Sequence, residues 1–243
     1  MKAFKKAFWC FRVMAFYLAL IPTTIIFALL GLLTILIPFS WRYRFITAWS
    51  HLSIIYAKYI CGLRYHIRGL EHLPKTNAIL VSNHQSTWET IFLQKLLPVQ
   101  SWVLKRELLQ IPFFGWGLAL LQPVAINRSS GRAAITQLME QGLARLKLGR
   151  WLVLFPEGTR VSPQAYKKFS KSAAALAEAS GYPILPMAHN AGEFWPRGWW
   201  LKKPGVIEIV LGPLIKPQGH SLESLHAATE TWIREHMSSS QKG

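Results

Sequence analysis

The sequence contains no aspartate. All 11 acidic residues are glutamates, set against 28 lysines and arginines, for a formal net charge of +17. That absence excludes a Ser-His-Asp triad and any metal site built on aspartate. Cysteine is almost as scarce. Cys10 and Cys61 are the only two, and they flank an apolar N-terminal region far from every motif below. Two thiols so placed offer no metal-ligand spacing and no disulfide framework, and they suit a reducing compartment. Internal repeats and low-complexity tracts are missing, as is the Gly-x-Ser-x-Gly elbow of α/β-hydrolases.

What is present is length, apolar surface and charge. The 243 residues suffice for one sizeable α/β domain plus an appendage. Hydrophobic residues make up 51% and there are 11 tryptophans, which is heavy for a basic soluble protein and suits one that works at a membrane surface. The positive balance by itself fits anionic lipid, nucleic acid or a phosphorylated substrate equally well.

Lys2, Lys5, Lys6 and Arg12 precede a charge-free stretch from Val13 to Trp41, long enough to cross a bilayer. A cleaved signal peptide fits poorly, because the run is too long and has no small-x-small exit. Arg42 and Arg44 follow, and no acid occurs before Glu71. Both flanks are therefore basic, and the positive-inside rule would put both on the cytoplasmic side. Pro22-Thr23-Thr24 and Gly31 offer places to bend. Two arrangements stay open: one transmembrane helix, or a re-entrant or in-plane helical pair. From Trp41 to Tyr59, apolar residues at 41, 45, 49, 52, 56 and 59 keep helical spacing, which predicts an amphipathic interfacial helix. The plain alternative there is an ordinary surface helix of the domain.

From Arg64 onward short apolar runs alternate with helical periods. Strands are expected at Tyr65-Arg68, Ala78-Ser82, Ser101-Leu104, Pro123-Ile126, Trp151-Phe155, Ile184-Ala188 and Val206-Leu211. Helices are expected at Thr87-Leu97, Gly131-Leu148, Ser170-Ser180 and Leu222-Met237, the second presenting Ile135, Leu138, Met139, Leu143 and Leu146 on one face. This predicts an α/β fold with a mixed, partly parallel sheet flanked by helices. The division expected is a membrane-anchoring helical region over 1–62, the α/β domain over 63–237 and a disordered tail over 238–243.

The stretch that carries chemistry is Asn83-His84-Gln85-Ser86-Thr87-Trp88-Glu89-Thr90, where a buried strand gives way to a helix. A neutral imidazole can take a proton near pH 7, and a carboxylate beside it can fix its tautomer. Five residues on a regular helix turn through roughly 140°, so His84 and Glu89 meet only if His84 lies on the turn before the helix. Ser86-x-x-Glu89 also reads as a capping box, which would give Glu89 a purely structural task. Further on, Ala125-Ile126-Asn127-Arg128 ends a strand with an arginine beside a helix start, a place suited to a phosphate. Phe155-Pro156-Glu157-Gly158-Thr159-Arg160 repeats the strand-to-loop pattern. Gly158 allows close backbone approach, Thr159 can donate a hydrogen bond and Arg160 can fork onto phosphate oxygens. Glu157 could accept from a hydroxyl or hold an arginine. The strand around Pro186 leads to His189, read as structural.

In this order the four stretches resemble the glycerolipid acyltransferase family, the 1-acylglycerol-3-phosphate acyltransferases. Its Asn-His-x4-Asp motif is matched by Asn83-His84 through Glu89, its arginine after a strand by Arg128, and its Phe-Pro-Glu-Gly-Thr-Arg by Phe155 to Arg160 residue for residue. Pro186 matches the fourth motif loosely. The likeness covers roughly residues 65 to 212. Glu89 stands where most members carry Asp, although a bacterial branch with His-Gln-Ser-x-Trp-Glu looks similar. Asn127 stands where an Asp often precedes the arginine, and the Tyr166–Lys171 run lacks a glycine many members carry.

The resemblance implies transfer of a fatty acyl group from a thioester, acyl-CoA or acyl carrier protein, to the hydroxyl of lysophosphatidic acid. His84 would be the general base and Glu89 its orienting partner. Arg128, Glu157, Gly158, Thr159 and Arg160 would form the acceptor site, with Lys105 and Arg106 as further cations. No metal and no cofactor is implied. The partners are membrane lipids and the acyl donor, with no nucleic acid. The place implied is a bacterial inner membrane, with the catalytic domain on the cytoplasmic side. The competing readings are transfer to another lysolipid, a lipid hydrolase using Ser82 or Ser86 beside His84, and a non-enzymatic protein that binds membrane or nucleic acid through its charge.

Overall fold

The computed structural model describes residues 2–127, 131–198 and 200–239. Two helices come first: α1 (Lys2–Leu33) and α2 (Phe39–Tyr59). The sheet-bearing part then runs β1 (Leu63–Arg68), β2 (Ile79–Ser82), α3 (Trp88–Leu96), β3 (Gln100–Lys105), α4 (Phe114–Leu120), β4 (Val124–Ile126) and α5 (Arg132–Lys147). It continues through β5 (Trp151–Leu154), α6 (Ser172–Ser180), β6 (Ile184–His189), α7 (Ala191–Phe194), β7 (Gly205–Leu211) and α8 (Leu222–Ser239). The last helix thus reaches two residues into the segment 238–243 expected to be disordered; 240–243 lie outside the described residues.

The described strands form one sheet in the order β1-β7-β6-β2-β5-β3-β4. All neighbours run parallel except β6 and β7. The central strands β2, β5 and β6 are buried at every position, which is why they read as unbroken apolar runs rather than as alternations. Leu80, Val153, Leu185 and Met187 face a core shared with α2 and α3, whereas Ile79, Val81, Leu152, Leu154 and Ile184 face the core under α5, α6 and α8. On α3, Trp88 stacks on Phe92 at 4.7 Å, and Phe92 meets the Tyr65 ring of β1 at 4.9 Å.

The N-terminal stretch folds as two helices, α1 and α2, packed on each other and on the domain. α1 is long and apolar enough to cross a membrane, by length and composition. α2 turns back along it and also packs on the domain. The apolar stripe expected to meet an interface instead faces α1: Phe45 stacks on Phe27 at 5.2 Å, Trp49 donates to Thr24 Oγ1 at 2.9 Å, and Tyr56 OH lies 3.3 Å from Thr23. A second stripe, with Tyr43, Ile46, Ile54 and Ala57, is buried against the domain. Of the expected stripe, the two ends, Trp41 and Tyr59, are exposed, and Ile55 is exposed outside it. α1 is joined to the sheet-bearing part at Lys202. This buried ammonium donates to Tyr17 OH at 2.8 Å among the rings of Phe16, Tyr17 and Trp195. On α5 the buried line is Ala134, Leu138 and Leu146, and Ile135, expected on that face, is exposed. α4 escapes sequence reading because two glycines interrupt it. Gly115 is required, since a Cβ there would stand 2.4 Å from the Leu109 carbonyl oxygen.

Phe92 is fully buried in an aromatic trio with Trp88 and Tyr65, and Phe92→Ala should lower stability by about 3–5 kcal/mol. Chemical denaturation of the detergent-solubilised protein measures it. A loss below about 1 kcal/mol would mean that the α3–β1 contact adds little to the core.

Candidate active site

The parallel strands β2, β5, β3, β4 and β6 all end at one edge of the sheet, where open α/β sheets place their ligands. Val81 of β2 pairs with Leu154 of β5, so the loops that follow leave the sheet side by side. They are then stitched together. The His84 N–H donates to Glu157 Oε2 at 3.0 Å, and the Val161 N–H donates to the His84 carbonyl at 2.8 Å. The His84 ring stacks on Phe155, with centroids 4.2 Å apart and planes 20° from parallel.

α3 begins at Trp88, so His84 does lie on the preceding turn, and its Nδ1 is 2.8 Å from Glu89 Oε1. The same oxygen accepts from the N–H groups of Gln85 at 2.9 Å and Ser86 at 2.8 Å. The Ser86 hydroxyl oxygen in turn accepts from the Trp88 N–H at 3.0 Å. The backbone contacts of the capping reading and the His84 contact of the catalytic reading therefore meet on one carboxylate oxygen. The longer glutamate side chain, at the position where the family usually carries Asp, reaches its partner without difficulty.

Glu89 is fully buried. Burial pushes its carboxyl up, but the neighbouring His189 and His84 imidazoles and the hydrogen bonds from His84 and Ser86 outweigh that and hold it below the ordinary carboxylate range. An ionised Glu89 keeps the proton of neutral His84 on Nδ1 and leaves the Nε2 lone pair as the basic position. Glu157 behaves oppositely. Burial lifts its carboxyl to about 8 against the pull of its own backbone N–H and that of His84, and the charge of Glu89 adds to the rise.

His189 is structural, as its sequence context suggests. It is fully buried, its Nδ1 accepts from the Ala191 N–H at 3.2 Å, and its Nε2 lies 2.9 Å from the Asn83 carbonyl. Burial lowers its pKa and keeps it neutral. The Asn83 side chain pairs with the His189 backbone in both directions, at 2.9 and 3.1 Å, and so pins the catalytic turn to β6.

The residues proposed to hold the acceptor separate into two groups. Arg160 donates to Thr87 Oγ1 at 2.8 Å and borders a cleft of about 410 Å³ with Tyr17 and Leu20 of α1, Trp49 of α2, Phe114 of α4 and Trp195. Glu157 and Gly158 instead border a cavity of about 420 Å³ on the other side, walled by Ile126, Leu138, Phe155 and Phe169, with Lys167 and Lys168. Thr159 is exposed on the loop that carries both groups. Arg128 lies outside the described residues. Lys105 pairs with Glu107 at 3.0 Å, both about half exposed, and Arg106 is exposed. Ser82 and Ser86 are fully buried, and among the described residues neither hydroxyl bonds His84. Sequence reasoning missed Thr87 as the partner of Arg160 and the whole α1 wall. No local pattern marks them, because their roles arise from contacts across more than 70 residues of chain.

The profile of the family described as "Acyltransferase" matches residues 64–190. A 1-acyl-sn-glycerol-3-phosphate acyltransferase of Pseudomonas aeruginosa is 43% identical over 93% of this chain and 90% of its own. One from Limnanthes alba is 27% identical over 89% of this chain and 77% of its own. The crystal structure of a 1-acyl-sn-glycerophosphate (LPA) acyltransferase, PlsC, from Thermotoga maritima superposes with a TM-score of 0.79 at 22% identity, covering 98% of this chain and 97% of that one, and speaks for the fold. The matched span contains both stitched loops and the His84–Glu89 pair, and with the 43% identity along nearly the whole chain it establishes that this protein belongs to the acyltransferase family.

Proposed function

We propose that the protein is a 1-acylglycerol-3-phosphate acyltransferase, moving a fatty acyl group from a thioester to the free hydroxyl of lysophosphatidic acid and producing phosphatidic acid. The observation that carries the reading is the 2.8 Å bond from His84 Nδ1 to a buried, ionised Glu89, which directs the basic nitrogen away from the protein's own carboxylate. His84 Nε2 takes the hydroxyl proton as the acceptor oxygen attacks the thioester carbonyl. The C–S bond then breaks, and the departing thiolate recovers the proton from the imidazolium. The alcohol attacks directly, so no acyl-enzyme forms. Metal and cofactor have no part in the scheme; the donor, acyl-CoA or acyl carrier protein, is a substrate.

Arg160, held by Thr87, is the anchor for the acceptor phosphate, and the apolar side chains of α1, α2 and α4 around it suit the acceptor's hydrocarbon. Arg128, from the loop after β4, is proposed as a second phosphate ligand. The cavity bordered by Phe155 and Glu157 is the room proposed for the donor chain. Glu157, protonated below about 8, braces the His84 backbone without adding a second charge beside Glu89. Gly158 and Thr159 complete the bracing loop. The apolar α1 fits association with a membrane, and the basic flanks of the N-terminal region fit the cytoplasmic side of a bacterial inner membrane.

His84→Ala should lower phosphatidic acid formation by at least about 100-fold, the ordinary range for losing a general base, with the fold intact. Labelled lysophosphatidic acid with acyl-CoA and, separately, acyl carrier protein provides the assay. Most activity surviving in the variant would reject the base. Arg160→Ala should raise the KM for the acceptor by roughly tenfold to a hundredfold, with a smaller change in kcat, as expected for one charge-assisted phosphate contact. An unchanged KM would place the phosphate elsewhere.

Burial pushes the Glu157 carboxyl up from the ordinary carboxylate value of about 4.5 to about 8. The folded protein therefore holds a proton that the unfolded chain releases, so this group's contribution to stability is greatest below pH about 4.5 and is lost as the pH climbs through about 8. Glu157→Gln should flatten that decline. Melting temperatures of both proteins from pH about 5 to about 8.5 test it, and parallel curves would show that Glu157 ionises normally.

A further inference from the structure

Three cations border a cavity that shares no lining residue with the two beside the His84 loops. Arg12 of α1, Lys58 of α2 and Arg64 of β1 surround about 540 Å³ together with Tyr59, Gly62 and Pro204. The lining contains no acid, and among the described residues none of the three cations forms an ion pair. Unopposed charges of one sign around a concave space repel each other unless an anion joins them.

The arrangement is partly fixed before any ligand arrives. Arg12 donates through Nε to the Ile60 carbonyl, which holds its guanidinium over the turn between α2 and β1. Gly62 makes room for it: its φ is +73°, and a Cβ there would meet Arg12 Nη2 at 3.2 Å and Pro204 at 3.0 Å. A guanidinium tied to a carbonyl by Nε keeps its outer N–H groups for a second acceptor. Lys58 and Arg64 are exposed and complete the ring of charge.

Topology gives the cavity its direction. β7 is antiparallel to β6 and β1 is parallel to β7. The first residues of β1 and β7 therefore lie toward the edge at which β6 ends with His189, the same edge that carries His84 and Arg160. Beside the cavity stand exposed side chains of the interfacial kind: Phe8 and Phe11, one turn of α1 and one residue before Arg12, and Tyr59. An aromatic fringe around a basic hollow sets the hollow at headgroup depth when the fringe enters the lipid.

We propose that Arg12, Lys58 and Arg64 form a binding site for the phosphate of an anionic phospholipid headgroup, separate from the site that receives the acceptor. A lipid held there is not a substrate; it seats the sheet edge of the catalytic loops against the bilayer.

The test is partitioning of the purified full chain onto vesicles of phosphatidylcholine with and without phosphatidylglycerol. Arg12→Gln/Lys58→Gln/Arg64→Gln should bind phosphatidylglycerol vesicles about tenfold or more weaker than the wild type, with little change on pure phosphatidylcholine. Lys75→Gln/Lys147→Gln/Lys216→Gln removes the same charge from exposed positions elsewhere and should retain most of the affinity. Equal losses in the two triple variants would reduce the effect to net charge and overturn the site. Because Arg12 also supports the turn, Lys58→Gln/Arg64→Gln is measured alongside, with an expected loss of roughly threefold or more, and no loss in a variant that melts like the wild type overturns the proposal. Excess inorganic phosphate at constant ionic strength should leave vesicle binding unchanged. Displacement by it would assign the cavity to free phosphate rather than to lipid.

Discussion

The Glu89 carboxylate is the constraint on which the rest of the site depends. A fully buried charge survives only if its partners replace water, and here a single oxygen takes the His84 Nδ1 proton and two backbone N–H groups. Those two N–H groups belong to the turn after β2 and sit at the start of α3. The charge thus closes the helix end, fixes the turn and selects the imidazole tautomer together. Removing it would leave orphaned donors in the core as well as a misdirected base, so its structural and chemical tasks cannot be separated by a single substitution.

Around that centre the geometry is held mostly by side chains bonded to backbone groups. The loops after β2 and β5 are joined through His84 N–H to Glu157 and through Val161 N–H to the His84 carbonyl. The Asn83–His189 pair joins the first loop to β6. The His84 turn and the arginine loop are therefore tied to each other and to the end of β6. Neutral Glu157 fits this frame, since a second buried anion beside Glu89 would have to be compensated.

Much of this was legible in the sequence, and the reasons are physical. Strands buried on both faces announce themselves as short apolar runs, so Ile79-Ser82, Trp151-Leu154 and Ile184-His189 fall within a residue of their expected ends. The turn before α3 followed from helix geometry alone, because His84 and Glu89 could meet in no other way. What could not be read depends on long-range contact. The stripe on α2 has the periodicity of an interfacial helix, but periodicity does not say whether the facing surface is lipid or α1. Glu157 and Arg160 are three residues apart and were expected in one site, yet the loop directs them into different cavities. Thr87 gave no local sign that it would hold Arg160.

Tyr17 and Leu20 put α1 in the wall of the cleft that Arg160 borders. The helix with the length and composition of a membrane span is thus also a wall of the cleft proposed for the acceptor. A shortened, water-soluble version lacking it would open that chamber on one side and expose the Lys202 ammonium, now held among aromatic rings. If that cleft receives the acceptor, solubility and turnover are coupled in this architecture, and changes in the apolar helix would reshape acceptor preference while the His84 and Arg160 loops stay as they are.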